Sequence, residues 1–160
     1  MRILFISLGI ILLSILIIWL WGSTLSSTHK VEVQQTIRAP INRVWEVMTD
    51  WQNQPIWRKE LKSVEVISPS EFIESAKHGS KIKFTVVKSV SPQNFELEMS
   101  GFVQGEYIAT LSDIDGITKV SATEIVTQTS SFKRVLSYMF FDLNAFANEY
   151  LLQLKKYVEQ

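Results

Sequence analysis

The spacing of the apolar residues changes once along this chain, and that change constrains the fold more than anything else in it. Val31, Val33 and Ile37 alternate with Glu32, Gln34 and Thr36. Ile82, Phe84 and Val86 alternate with Lys81, Lys83 and Thr85, and Phe95, Leu97 and Met99 alternate with Glu96 and Glu98. Tyr107, Ala109 and Leu111 form a further run, and Val120, Ala122, Glu124 and Val126 share one register. A period of two means strands with one face buried. From Phe132 the period lengthens: Phe132, Val135, Met139, Leu143, Phe146, Tyr150 and Leu154 stand three or four apart. That spacing predicts one helix of about seven turns. Phe140, Phe141 and Ala147 widen its apolar stripe, while Lys133, Asp142, Glu149 and Lys156 face away. A helix with so broad an apolar face must bury it against the sheet. The expected class is α+β, a curved antiparallel sheet wrapped around a long C-terminal helix with a cavity between them.

The connections fit that order. Pro40 suits the first turn of a helix, and Ile41, Val44, Trp45, Val47 and Met48 follow helical spacing. Asp50 to Pro55 breaks this helix, and 56–61 reads as a second short one. Val64 to Ile67 and the stretch around Phe72-Ile73 read as strands. Asp115-Gly116 is a hairpin signal, a better account of Asp113-Ile114-Asp115-Gly116 than a calcium loop, whose other ligands are missing.

Ahead of the strands, Ile3 to Trp21 holds nineteen residues with no charge, and its only polar side chains are Ser7 and Ser14. A helix of that length crosses the hydrocarbon of a bilayer. The run is longer than the apolar core of a secretory signal, and Trp19 and Trp21 at its end suit the membrane–water interface. Residues 1–21 therefore read as an uncleaved transmembrane signal anchor, with the membrane met through residues 3–21. Residues 22–30 read as a linker and 31–160 as the folded domain. Arg2 before the run and no Lys or Arg from Gly22 to His29 put the domain outside the cytoplasm by the positive-inside tendency.

Composition narrows the chemistry. Sixteen basic and sixteen acidic residues cancel, and no basic stripe offers a seat for nucleic acid. There is no cysteine, so thiolate catalysis and Cys-based zinc sites are excluded. His29 and His78 have no second ligand at metal spacing. No phosphate-binding glycine loop, GxSxG or HExxH occurs. No catalytic residue, metal or cofactor is assigned on these grounds, and no protein partner can be named.

Several local strings, in this order, resemble the START/polyketide-cyclase superfamily, also called SRPBCC or birch-pollen-allergen-like. They are Ile37-Arg38-Ala39-Pro40, Val44-Trp45 with Asp50, Trp57-Arg58 and Val64-Glu65. Asp115-Gly116-Ile117-Thr118-Lys119-Val120, Thr123-Glu124 and the stretch Tyr150 to Tyr157 complete the set. The resemblance covers about residues 31 to 159 and implies a helix-grip fold with a hydrophobic ligand cavity. It implies no single activity, because carriers, receptors and cyclases share the fold. The cavity set expected on this basis is Trp57, Arg58, Phe84, Phe95, Tyr107, Glu124, Met139, Phe140 and Leu143, with the mouth near Trp57 and Arg58. Glu124 shares the inward register of Val120, Ala122 and Val126, so its carboxyl must be paired or protonated. Pairing with Arg58 is one solution, either as a structural salt bridge or around a polar ligand end. Gln35 could add a third polar group. The leading functional reading is binding of a hydrophobic small molecule (a lipid, quinone or polyketide-like compound) at a membrane surface. Two others stand beside it: a cyclase or dehydratase with Glu124 or Tyr107 as acid/base, and an interaction domain with a filled core.

Overall fold

A computed structural model describes residues 2–160, with the side chains of residues 2–5 and of Leu8 outside the description. The elements are α1 (Arg2–Thr24), β1 (Thr28–Ile37), α2 (Ile41–Thr49), a 3-10 helix (Trp51–Ile56), β2 (Leu61–Ser68), β3 (Glu71–Ala76), β4 (Lys81–Val90), β5 (Asn94–Gly101), β6 (Gln104–Ile114), β7 (Ile117–Thr127), α3 (Ser131–Phe140) and α4 (Leu143–Val158). They fall into two units. One holds the chain up to His29 together with Thr127–Asp142; the other holds Lys30–Val126 and Leu143–Gln160.

The larger unit carries the seven-stranded sheet, in the order β1-β7-β6-β5-β4-β3-β2. Strands β2 to β6 pair antiparallel with their sequence neighbours, as short turns require. Between β6 and β7 the turn is made by Asp115 (φ 53) and Gly116 (φ 81), two successive positive φ values that match the twist of a hairpin. The alternation in the sequence becomes an inner face. Phe72, Phe84 and Met99 stand in register across β3, β4 and β5, and Leu97 faces Tyr107 across β5 and β6. Helix α4 lays Ala147, Leu151 and Leu154 into a core that includes Val33, Ile37, Val44, Met48, Phe95 and Val120. Thr118, fully buried on β7, donates its hydroxyl to the Ala39 carbonyl at 2.7 Å and ties the start of α2 to the sheet.

Two sequence expectations are corrected here. The long C-terminal helix is two helices, interrupted at Phe141, whose backbone is extended (φ −131, ψ 115), and Asp142. Aspartate directly before a helix is a favoured capping residue, so the chain restarts rather than continues. The second short helix is a 3-10 helix at Trp51–Ile56, five residues earlier than 56–61, and Leu61 already begins β2. Pro55 is tolerated inside it because so short an element needs few interior N–H donors.

The smaller unit is built on α1 and α3. Helix α1 continues through Gly22 to Thr24 and β1 opens at Thr28, so the expected linker over 22–30 shrinks to Leu25–Ser27. Gly22 lies against the start of α3, where a Cβ would collide with the Ser131 carbonyl. Trp21 meets Tyr138 edge-on at 6.1 Å. Arg134 donates to the carbonyls of Gln128 (2.8 Å), Leu25 (3.4 Å) and Thr129 (3.3 Å), which fixes α3 on the segments flanking it. The membrane span expected over residues 3–21 rests in part on Ile3, Leu4, Phe5 and Leu8, which lie outside the described side chains. Among the described residues, no helix is long and apolar enough to cross a membrane.

Candidate functional site

Strands β3 to β7, the 3-10 helix with the turn after it, and α4 enclose a cavity within the larger unit. Its volume is ≈ 80 Å³, measured as the space open to the centre of a water-sized sphere. A single water needs only about 10–15 Å³ on that measure, so the core is not filled. The apolar wall is Trp51, Phe72, Ile82, Phe84, Phe95, Leu97, Met99, Ala122, Phe146 and Ala147. Strand pleating supplies most of it, because residues two apart point to the same face. Phe72 stacks between Trp51 (4.5 Å) and Phe84 (5.0 Å), which makes that wall rigid. A second recess of ≈ 230 Å³, lined by Lys59, Glu60, Phe146, Glu149, Tyr150 and Gln153, shares Phe146 and Tyr150 with the cavity.

The polar side of the cavity is Gln54, Arg58, Glu74, Tyr107, Glu124 and Tyr150. Arg58 and Glu74 are both buried and pair at 2.5 Å. Arg58 also donates to Gln54 Oε1 (2.7 Å) and Glu60 Oε1 (2.8 Å), and its guanidinium lies 5.1 Å from the centre of the Tyr150 ring. Gln54 is oriented by its own bond to the Met48 carbonyl at 2.9 Å. Gln153 on α4 accepts from the Lys59 N–H (2.7 Å) and donates to Glu60 (3.3 Å), which fastens the turn to the helix. Burial opposes the charge on Arg58, but Glu74 and Glu60 outweigh it and hold its pKa above the ordinary value. Glu60, less enclosed, is pulled below the usual carboxylate range by Arg58 despite its own burial.

Two groups face the cavity without an ion pair. The Tyr107 hydroxyl is buried, with the Tyr150 hydroxyl as its hydrogen-bonding neighbour, and meets no other partner among the described residues. Burial raises its pKa well above that of a free phenol. Glu124 is half-buried on β7, and burial pushes its carboxyl up to about 7, Arg58 pulling it down and Glu74 pushing it further up. Burial likewise raises Tyr150 to about 12.

Of the nine residues expected at the cavity, Arg58, Phe84, Phe95, Tyr107 and Glu124 line it. Trp57 is buried behind it and packs on Tyr150 (5.4 Å) and Tyr157 (6.3 Å). Leu143 is buried at the start of α4 outside the lining. Met139 and Phe140 are exposed residues of α3 in the smaller unit, because the break at 141–142 takes them off the helix that faces the sheet. Gln35, half-buried on β1, does not line the cavity either. Arg58 pairs with Glu74 and Glu60, and no ion pair joins it to Glu124. The helical stripe also offered Phe146, which lines the cavity, while Gln54, Glu74 and Tyr150 were not expected there. Among the described residues, no group of three or more His, Asp or Glu side chains is arranged to hold a metal.

The polyketide cyclase / dehydrase and lipid transport family matches residues 28–159. The chain belongs to that family. Solved structures agree on the fold. A START superfamily protein from Mycobacterium smegmatis is 14% identical with a TM-score of 0.63, over 82% of this chain and 94% of that one. A conserved protein from Geobacillus kaustophilus is 16% identical with a TM-score of 0.66, over 81% and 95%. Ara h 8.0201 is 12% identical with a TM-score of 0.62, over 82% and 97%. No curated protein matches the sequence. The helix-grip, START-like architecture is therefore established, and what occupies the cavity is a question for its lining.

Proposed function

We propose that this protein binds a small apolar molecule bearing one neutral, hydrogen-bond-accepting end, such as a carbonyl, inside the helix-grip cavity. The observation that carries this reading is the pair of Tyr107 and Tyr150 hydroxyls with the Glu124 carboxyl, facing the apolar wall of the cavity. Pockets of this composition take apolar ligands and use a few placed polar groups for orientation. The two tyrosine hydroxyls share one hydrogen bond and leave one donor for a ligand, and Glu124 offers a second while protonated. The nearby charge argues against an anion, because Arg58 already faces two carboxylates, Glu74 and Glu60. A carboxylate or phosphate entering there would meet surplus negative charge. The family's description, which joins cyclases and dehydrases to lipid transport, is compatible with an apolar cargo.

The domain is held at a membrane by α1 and lies outside the cytoplasm. Helix α1 has 23 residues, or roughly 34 Å at 1.5 Å per residue, against a hydrocarbon core of roughly 30 Å. Its described large apolar side chains, Ile6 and Ile10 to Trp21 among them, are exposed. Arg2 is the only charge at its start.

Extraction of the protein purified from membranes, followed by mass spectrometry of the extract, tests the cargo directly. A neutral apolar compound in stoichiometric amount supports the reading. An empty protein that binds neither a long-chain ketone nor the matching alcohol refutes it. A cyclase or dehydratase reading draws on the placement of Glu124, whose carboxyl burial pushes up to about 7, in one cavity lining with the Tyr107 phenol, as acid/base catalysis requires. Turnover of a bound ketone that is abolished in Glu124→Gln would favour it.

A further inference from the structure

Helix α3 carries an apolar face that no described residue covers. Phe132, Leu136, Met139 and Phe140 are spaced four, three and one apart, so they form one stripe, and all four are exposed, Phe140 at 75%. The opposite side of α3 is occupied: Val135 is buried and Tyr138 touches Trp21. The stripe cannot turn inward, because Gly22 contacts Ser131 and Arg134 is tied to three flanking carbonyls. A monomeric protein that left such a stripe in water would lose the free energy of burying it.

We propose that α3 lies in the headgroup region of the bilayer, as an interfacial helix beside the end of the membrane-spanning α1. This rests on the reading of α1 as a membrane anchor. Three observations select a lipid surface as the occupant. The stripe belongs to the same unit as the exposed apolar surface of α1, and α3 contacts α1 at Trp21 and Gly22, at the helix end. Trp19 and Trp21 stand at that end, and tryptophan favours the depth of the headgroups. Helix α3 contains no acidic residue, so no negative charge on it opposes anionic lipid. A helix with its apolar residues on one exposed side is of the kind that lies in an interface.

The chain has no cysteine, so each introduced thiol is a unique label site. Leu12→Cys on α1, Leu136→Cys and Phe140→Cys on α3, and Ser63→Cys on β2 would each carry an environment-sensitive fluorophore. The full chain would be reconstituted in phosphatidylcholine/phosphatidylglycerol vesicles containing nitroxide lipids of different depths. The expected result is a blue shift at positions 12, 136 and 140 and none at 63. Deep acyl nitroxides should quench position 12, and headgroup or shallow acyl nitroxides should quench 136 and 140. Quenching at 12 with a water-like spectrum at both 136 and 140 overturns the α3 proposal and leaves the anchor standing. A blue shift at 136 and 140 that no nitroxide quenches, and that fades as protein is diluted in lipid, also overturns it and assigns the stripe to a second copy. No quenching at position 12 overturns the anchor and the α3 proposal together.

Discussion

Arg58 and Glu74 form an ion pair of 2.5 Å with both side chains buried, between the turn after the 3-10 helix and the inner face of β3. Removing two charges from water is costly, and their attraction repays it only when the remaining donors are used. Here they are used: Gln54 and Glu60 each accept from the same guanidinium. Leaving one partner alone is therefore the damaging change. Glu74→Ala or Arg58→Ala should destabilise the protein by about 3–5 kcal/mol, and replacing both by apolar residues of similar size should cost less than either alone. Urea denaturation of the detergent-solubilised protein checks this. A double variant as unstable as the sum of the singles would mean that the two residues act separately.

Glu124 makes stability depend on pH. Its folded pKa, about 7, lies above the ordinary carboxylate value because burial favours the neutral form. The folded state therefore holds a proton that the unfolded chain has released, between about pH 4.5 and pH 7. Stability should fall as pH rises across that interval and level off above it. The full loss is at most about 3 kcal/mol, and less because the side chain is only half-buried. Glu124→Gln should flatten this part of the profile. Melting curves from pH 4.5 to 8 give the comparison, and a wild-type profile that coincides with that of the variant would refute the assignment.

The same protonation bears on the cargo. While Glu124 is protonated it donates, and above pH 7 it becomes a carboxylate facing the ligand's acceptor. Binding of a long-chain ketone should weaken as pH passes 7, and a fatty acid carboxylate of equal length should bind less tightly throughout. Calorimetry at pH 6 and pH 8 resolves both. Equal or tighter binding of the carboxylate would require a free cation in the cavity and would contradict the Arg58 pairing.

Strand register was legible in the sequence because a period of two assigns every side chain to a face. Phe84, Phe95, Tyr107 and Glu124 line the cavity for that reason. Glu74 obeyed the same rule, two residues after Phe72 on β3, but a short strand with a charged inward position gave little periodicity to read. The break at 141–142 was harder. Met139, Phe140 and Leu143 continue the helical spacing across it, so periodicity runs through a point where the backbone does not. Asp142 was the available signal, a capping residue placed inside an apolar run. The Arg58–Glu74 pairing had no signal, since the two are sixteen positions apart and on different elements.

Space in the cavity distinguishes it from a packed core. Ala122 is buried on β7 and lines the cavity, so Ala122→Phe adds atoms to open volume. Overpacking a filled core costs about 1–3 kcal/mol, and here the cost should be under about 1 kcal/mol while ligand binding is lost. Met139→Trp, on the exposed face of α3, should leave binding unchanged. Melting temperature and ketone binding on the two variants decide it. A strongly destabilised Ala122→Phe that still binds ligand would mean that the cargo sits elsewhere.

Phe146 offers the last test, because it stands in the wall common to the cavity and the recess beside Lys59 and Glu60. Tyr150, the other shared residue, is held in place by Trp57 on one side and Tyr107 on the other, at 5.4 and 5.9 Å. Phe146 is half-buried on the first turn of α4, close to the break at 141–142 where a helix end frays. A ligand entering from the recess has to pass it. Phe146→Ala should therefore speed association and dissociation together and change equilibrium affinity by less than either rate. Tyr150→Phe should not, since it removes only the hydroxyl and leaves the ring in place. Stopped-flow fluorescence with an apolar probe separates the outcomes. Unchanged rates in Phe146→Ala, with affinity intact, would place the entrance on another side of the cavity.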